Sequence, residues 1–180
     1  ISLTKIYEKK IVKEEEIVSF FEKNKDSFEE TRKKFRYLTL SPEVLVGDKL
    51  INENYFKKID IIENAILDGE SFDQLTSEYK SNIKNTPFIN QDGLKTDGNL
   101  FKDLNNETLN KIFKISDLDT PVFVNQNNNF YIAELKESKN EILNLESVGL
   151  KEKIVNQIKL IDQIEKISKL INDIEENTFK

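Results

Sequence analysis

PVFVNQNNNFYIAELKE, residues 121–137, decides the fold. Two runs rich in β-branched and aromatic residues, 121–125 and 130–137, flank the polar QNNN. Asparagine tolerates positive φ, so the stretch predicts a β-hairpin. Upstream, KKFRYLTLSPE (33–43) reads as a further short strand closed by Ser41-Pro42. The intervening chain carries helical signals. Tyr55, Phe56, Ile59, Ile62 and Ile66 recur every three or four positions before Asp68-Gly69, with Asn52 placed to cap the start. Ser71 opens a second helix over 71–80, and Leu109, Ile112 and Phe113 mark a third over 107–115. The Asn-, Asp- and Gly-rich 81–104 reads as loop, with a short strand around Phe88-Ile89. Strands and helices in this order predict an α+β fold, a small antiparallel sheet covered by helices.

Two helical segments flank that domain. Residues 13–24 place Ile17, Phe20, Phe21 and Asn24 at helical spacing behind Glu14-Glu15-Glu16, acids that suit the start of a helix. Residues 145–176 carry Leu145, Val148, Ile154, Ile158, Ile161, Ile164, Ile167, Ile171 and Ile174, a stripe that needs a partner surface. The first helix is its natural partner, which predicts a helical lobe with the stripe as intramolecular core. The expected division is an N-terminal helical segment 1–30, a domain 31–140, and a C-terminal helix 141–180 packing on the first.

Composition excludes several chemistries. The chain has no Cys and no His, so it offers no thiol nucleophile, disulfide, imidazole base or ordinary zinc site. The net charge of −6 is spread along the chain and argues against nucleic-acid binding. RKKFR, 32–36, reads as a solvated opening to its strand. Asp92, Asp97 and Asp103 lack the alternation and terminal Glu of a calcium loop, and no cofactor is expected. No run of about 18 apolar residues exists to span a membrane. The chain starts at Ile1 without Met, which points to a processed product or excised piece with any signal or anchor upstream.

The motifs resemble those of parvulin-type prolyl isomerases. AILDGESFDQLTSEYKSN (65–82) is similar to that family's helix ending in Gly, followed by (S/D)F-x-x-L. LNKIFKISDLDTPVFVNQNNNFYIAELKE (109–137) is similar to its last helix and closing hairpin. The lead-in EEEIVSFFEKNKDSFEETRKKFRYLTL (14–40) resembles that of SurA- and PpiD-type periplasmic folding factors, and QDGLKTDGN (91–99) suggests the divergent PpiD-like branch.

The resemblance implies two histidines, a Cys or Asp, and an apolar proline pocket. Here the histidine positions carry Tyr37 and Tyr131, and the Cys/Asp position carries Asn82. The pocket's Met and Phe fall on Leu104 and Thr108, and Phe113 matches a core phenylalanine. Isomerisation needs no covalent step; a catalyst desolvates the twisted amide and favours it with polar groups, against a barrier of about 18–20 kcal/mol. With every polar position changed, the expectation is a catalytically degenerate domain that binds unfolded secreted or envelope proteins. Tyr37, Leu104, Thr108, Phe113, Phe123 and Tyr131 are then the contact surface. An active isomerase using Tyr37, Asn82 and Tyr131, or a structural spacer of a membrane-anchored protein, are the other readings. The resemblance also implies a periplasmic location, an inner-membrane tether upstream, and secretion-translocon or envelope proteins as partners.

Overall fold

The computed structural model describes residues 10–178; the first nine residues of the expected segment 1–30, and the last two of 141–180, lie outside them. The chain forms two compact units, one of residues 30–141 and one made of the segments before and after it. The first is α+β. Strand β1 (Glu29–Thr39) is followed by helices α2 (Pro42–Val46), α3 (Glu53–Leu67) and α4 (Phe72–Leu75), numbered after α1 (Glu14–Lys23) of the other unit. Then come β2 (Lys84–Asn85), α5 (Asn106–Phe113), β3 (Pro121–Gln126) and β4 (Asn129–Ile142), and the sheet order is β2-β1-β4-β3.

The hairpin forms where the sequence asks for it. Gln126 pairs with Asn129, and the two residues between them, Asn127 and Asn128, take φ of 51° and 62°. Both central residues therefore have the positive φ that a tight two-residue turn requires. Next to the hairpin, Leu40 N–H donates to Phe130 O at 2.8 Å, while Arg36 reaches Glu134 and Lys34 reaches Glu137. Rising numbers on β1 meet falling numbers on β4, so those strands are antiparallel. Ala133 then lies across from Tyr37.

Period-two alternation divides the sheet residues between two cores. Leu38, Leu40, Phe130 and Ile132 face α2, α3 and α4, packing on Leu45, Tyr55, Ile59, Ile62, Phe72 and Leu75. Phe35, Tyr37, Val124, Tyr131, Ala133 and Leu135 face the other way, onto Ile89, Leu104 and the α5 residues Leu109 and Ile112. Caps fix the helix starts: Asn52 Oδ1 accepts from Tyr55 N–H, Asn105 Oδ1 from Thr108 N–H, and Ser71 Oγ from Gln74 N–H.

Some local expectations change. The helix expected over 71–80 ends at Leu75 and continues as a 3-10 segment, Ser77–Asn82, with a non-helical φ/ψ of −119°/22° at Tyr79. The strand expected around Phe88-Ile89 is an isolated pairing of Ile89 with Lys33, and the named strand lies earlier, at Lys84–Asn85. Residues 90–101 are a chain of tight turns rather than open loop. Asn90 Oδ1 accepts from the Asp92 and Leu94 amides, and Phe101 N–H donates to Gly93 O. Gly93 has φ of 76°, so the turn favours glycine, and a Cβ there, 2.9 Å from Leu109 Cδ1, would also make that side chain shift.

RKKFR is not a solvated opening, although Lys34 remains substantially exposed. Arg32 is buried, ion-paired to Glu30 and Glu141 at 2.6 Å each and bonded to Leu94 O at 2.9 Å. Arg36 pairs with Asp73 and with the buried Glu134. Lys33 Nζ donates to Phe113 O and Ile115 O, both at 2.8 Å, and stands 5.0 Å from the Phe113 ring centroid. It closes the C-terminus of α5, where orphan carbonyls and the helix dipole favour a cation. Burial pushes this lysine below its ordinary pKa. Lys33→Met is expected to cost about 1–2 kcal/mol, since it removes two charge-assisted hydrogen bonds. Denaturant unfolding checks this; a cost near zero would mean that water serves those carbonyls equally well.

In the second unit, Ile17 and Phe21 of α1 and Phe28 of the 3-10 turn after it pack with Leu150, Ile154 and Ile158 of α6 (Leu150–Thr178). Lys13 N–H donates to the Glu16 carboxylate, so one of the three acids closes the first turn of α1. The α6 stripe departs from the expectation of a continuous core. Ile154 and Ile158 are buried, but Ile161, Ile164, Ile167, Ile171 and Ile174 are roughly half exposed, because the core shared with α1 takes in only the first turns of α6. Leu145 and Val148 precede the helix rather than belonging to it.

Candidate functional site

The positions singled out by sequence converge only in part. Tyr37 on β1 and Tyr131 on the adjacent β4 share one face of the sheet and one core with Leu104, and Phe113 packs at its edge. Thr108 sits on α5 one turn before Ile112 and is fully buried. Phe123 does not join them. Alternation turns it to the opposite face, where it stacks on Phe130 with ring centroids 5.7 Å apart. Asn82 is exposed at the end of its 3-10 segment, and its side-chain oxygen accepts from Ser81.

What converges is a closed core rather than a cleft. Tyr37 is 1% exposed, Leu104 5%, Tyr131 8% and Thr108 0%. An extended polypeptide has no access to these side chains in this conformation, so they do not form the expected contact surface. A shallow pocket at the start of α5 is lined by Gln91, Asp92, Asn106, Leu109 and Asn110, none of them an expected site residue.

The electrostatics of the core are those of neutral hydroxyls. Among the described residues, Tyr37 Oη and Thr108 Oγ1 are buried without hydrogen-bond partners. The contrast is Tyr55 in the opposite core, whose hydroxyl donates to Leu40 O at 2.7 Å. Burial pushes the Tyr37 phenol up to about 12, with the charges of Asp103 and Tyr131 adding to the effect. Near neutral pH such a phenol is neither a base nor an anion, and it reaches nothing in solvent. Among the described residues no group of three carboxylates is placed to hold a metal.

Sequence reading missed the charged cluster on the other face. Glu134 is 1% exposed, paired with Arg36 and, at 3.3 Å, with Lys136. Arg36 also bonds Asp73 at 2.8 Å and lies 4.3 Å above the Phe72 ring. The available signal was phase: in FYIAE, Glu134 falls in register with the core residues Phe130 and Ile132. Charged groups at such positions are rarely buried without a partner.

No family model matches the chain. No curated protein matches it either. Among solved structures it is similar to one of two structurally related SurA-like chaperones of Campylobacter jejuni, at 16% identity and a TM-score of 0.36. That likeness covers 96% of this chain and 64% of the other, so the chain spans just under two thirds of its length.

Proposed function

We propose that residues 30–141 are a polypeptide-binding domain of parvulin type without prolyl isomerase activity, part of a periplasmic folding factor of the SurA/PpiD kind. The observation that carries this reading is the burial of Tyr37. The ring at the first histidine position is sealed in the core, and its neutral hydroxyl has no partner among the described residues. Electrostatic help to a twisted amide requires preorganised polar groups that the amide can reach. Sequence supports the family reading, since the helix–Gly–Ser–Phe element and the closing hairpin stand in family order.

Client contact then falls to apolar side chains left outside. Leu50, Ile51 and Phe56 are 73%, 56% and 46% exposed around the start of α3, and such patches on soluble domains are often functional. The clients of this reading are unfolded secreted or envelope proteins near the secretion translocon. Among the described residues, no helix is long and apolar enough to cross a membrane.

Exchange NMR with paired peptides, one containing proline and one not, tests the proposal. Uncatalysed isomerisation takes tens of seconds, too slow to give exchange cross-peaks. The expected result is no such cross-peaks, with shifts at Leu50, Ile51 and Phe56 from both peptides. Cross-peaks between cis and trans resonances would reinstate the isomerase. Absence of binding at millimolar peptide would leave a structural spacer.

A further inference from the structure

The sheet ends in an open edge. β3 has β4 on one side and no strand on the other. Two hydrogen bonds of β4 fix which way the backbone groups point. Phe130 O accepts from Leu40 N–H on the β1 side, and Leu135 O accepts from Asp119 N–H on the β3 side. Even-numbered residues of β4 therefore face β1, and odd-numbered ones face β3. By the hairpin register, Val122, Val124 and Gln126 bond to Ala133, Tyr131 and Asn129, so the groups of Pro121, Phe123 and Asn125 point outward. Lys111 bears this out from outside the sheet, since its ammonium donates to Asn125 O. Proline has no N–H to offer. Left over are Pro121 O, both Phe123 groups and Asn125 N–H, which bond nothing among the described residues. The apolar patch at the start of α3 adjoins this edge, because α3 packs against β3. Phe123 stacks on Phe130, the Phe130 ring lies 6.3 Å from Tyr55, and Tyr55 lies 5.4 Å from the half-exposed Phe56.

We propose that an extended apolar segment of an unfolded polypeptide joins the sheet along β3 as an added strand. This rests on the polypeptide-binding reading and gives it a geometry. An extended backbone presents N–H and C=O groups at the spacing of those left open, whatever its sequence. Its alternate side chains fall on the α3 side, where Phe123 and Phe56 offer apolar contact. The edge is also guarded at both ends. Pro121 lacks a donor at one, and Lys111 already serves Asn125 O at the other. Such guards confine pairing to a short central stretch, which holds a client weakly and does not propagate a sheet. The same limit disfavours a second copy as the occupant. A strand of six residues is about 20 Å long and covers far less than the roughly 800 Å² per partner of a standard interface.

The probe is a short peptide of alternating valine and threonine, with lysines at its ends for solubility. Its control carries N-methyl groups at two consecutive central residues, which spoils both edges of the strand. As the probe is added, the amide protons of Phe123 and Asn125 are expected to move downfield on gaining hydrogen bonds. Those of Val122 and Val124, already bonded to β4, are expected to stay. The methylated control should bind roughly tenfold more weakly, as the loss of one or two backbone hydrogen bonds implies. Asn125→Pro removes an outward donor and leaves the β3–β4 ladder alone, so it should weaken binding several-fold while the Val122 and Val124 amides report an intact hairpin. Unchanged binding in that variant would overturn strand addition. So would equal binding of both peptides with shifts only at Leu50, Ile51 and Phe56, an outcome that leaves the polypeptide-binding reading standing. Absence of binding by either peptide at millimolar concentration would remove both. Downfield shifts at Phe123 and Asn125 that grow with protein concentration alone would identify a second copy as the occupant and overturn the proposal.

Discussion

Replacing Arg36 by methionine is expected to lower the stability of the domain by about 3–5 kcal/mol, because it strands a buried carboxylate. Glu134 is 1% exposed, and Arg36 is its closest cation, with Lys136 at 3.3 Å already shared with Asp119. The guanidinium also bonds Asp73 and covers the Phe72 ring, so methionine keeps some packing while the charge is lost. The melting temperature should fall by roughly 12–20 °C. Arg36→Lys should recover only part of this, since a point charge cannot serve Glu134 and Asp73 together with the geometry of a fork. The double replacement Arg36→Met with Glu134→Leu should recover most of it, because the unpaired charge goes with its partner. A single-variant loss below about 1 kcal/mol would mean that Lys136 or water satisfies Glu134 without Arg36.

That cluster also marks where the sequence stopped being legible. The elements whose cause is local were readable: the Asn127-Asn128 turn, the Asn52 and Ser71 caps, and the periodic face of α3. Residues 32–36 looked solvated because their partners are remote in sequence. Arg36 meets Glu134, Arg32 meets Glu141, and Lys33 meets carbonyls at 113 and 115. Nothing within a short window announces such pairs. The α6 stripe failed for a different reason. Periodicity states that a face is apolar, but the extent of the partner decides how much is covered, and the core shared with α1 reaches only to Ile158.

The candidate site shows the same division. Correspondence with the family placed Tyr37, Tyr131 and Leu104 together, and they do share one core. It could not reveal that this core is closed, because closure depends on side-chain volumes summed over β1, β4, α5 and the turns at 90–101. Phe123 was a phase error of one residue, which in a strand moves a side chain to the other face. Asn82 was placed by correspondence along LTSEYKSN, and the 3-10 segment that ends there leaves the residue in solvent.

Substitutions at Tyr37 separate a packing role from a catalytic one. Tyr37→Ala is expected to cost about 3–5 kcal/mol, since it empties a space walled by Phe35, Tyr131 and the α5 side chains. Tyr37→Phe keeps the ring and removes a buried hydroxyl without a partner among the described residues, so it should stabilise the domain by about 1 kcal/mol. Alkaline pH enlarges that difference. The folded phenol titrates at about 12, while an unfolded tyrosine titrates near 10. The folded state thus holds this proton more tightly, and its advantage is complete below about pH 10. As pH rises from about 10 through 12, wild type should lose roughly 2.7 kcal/mol through this group. The phenylalanine variant lacks that loss, and ionisable groups remote from residue 37 contribute alike to both proteins, so they cancel in the comparison. Urea midpoints measured side by side at neutral and alkaline pH would therefore diverge in favour of Tyr37→Phe. If phenylalanine instead destabilised the domain at neutral pH, the Tyr37 hydroxyl would have a partner, and the polar group that the closed-core reading retires would be back in play.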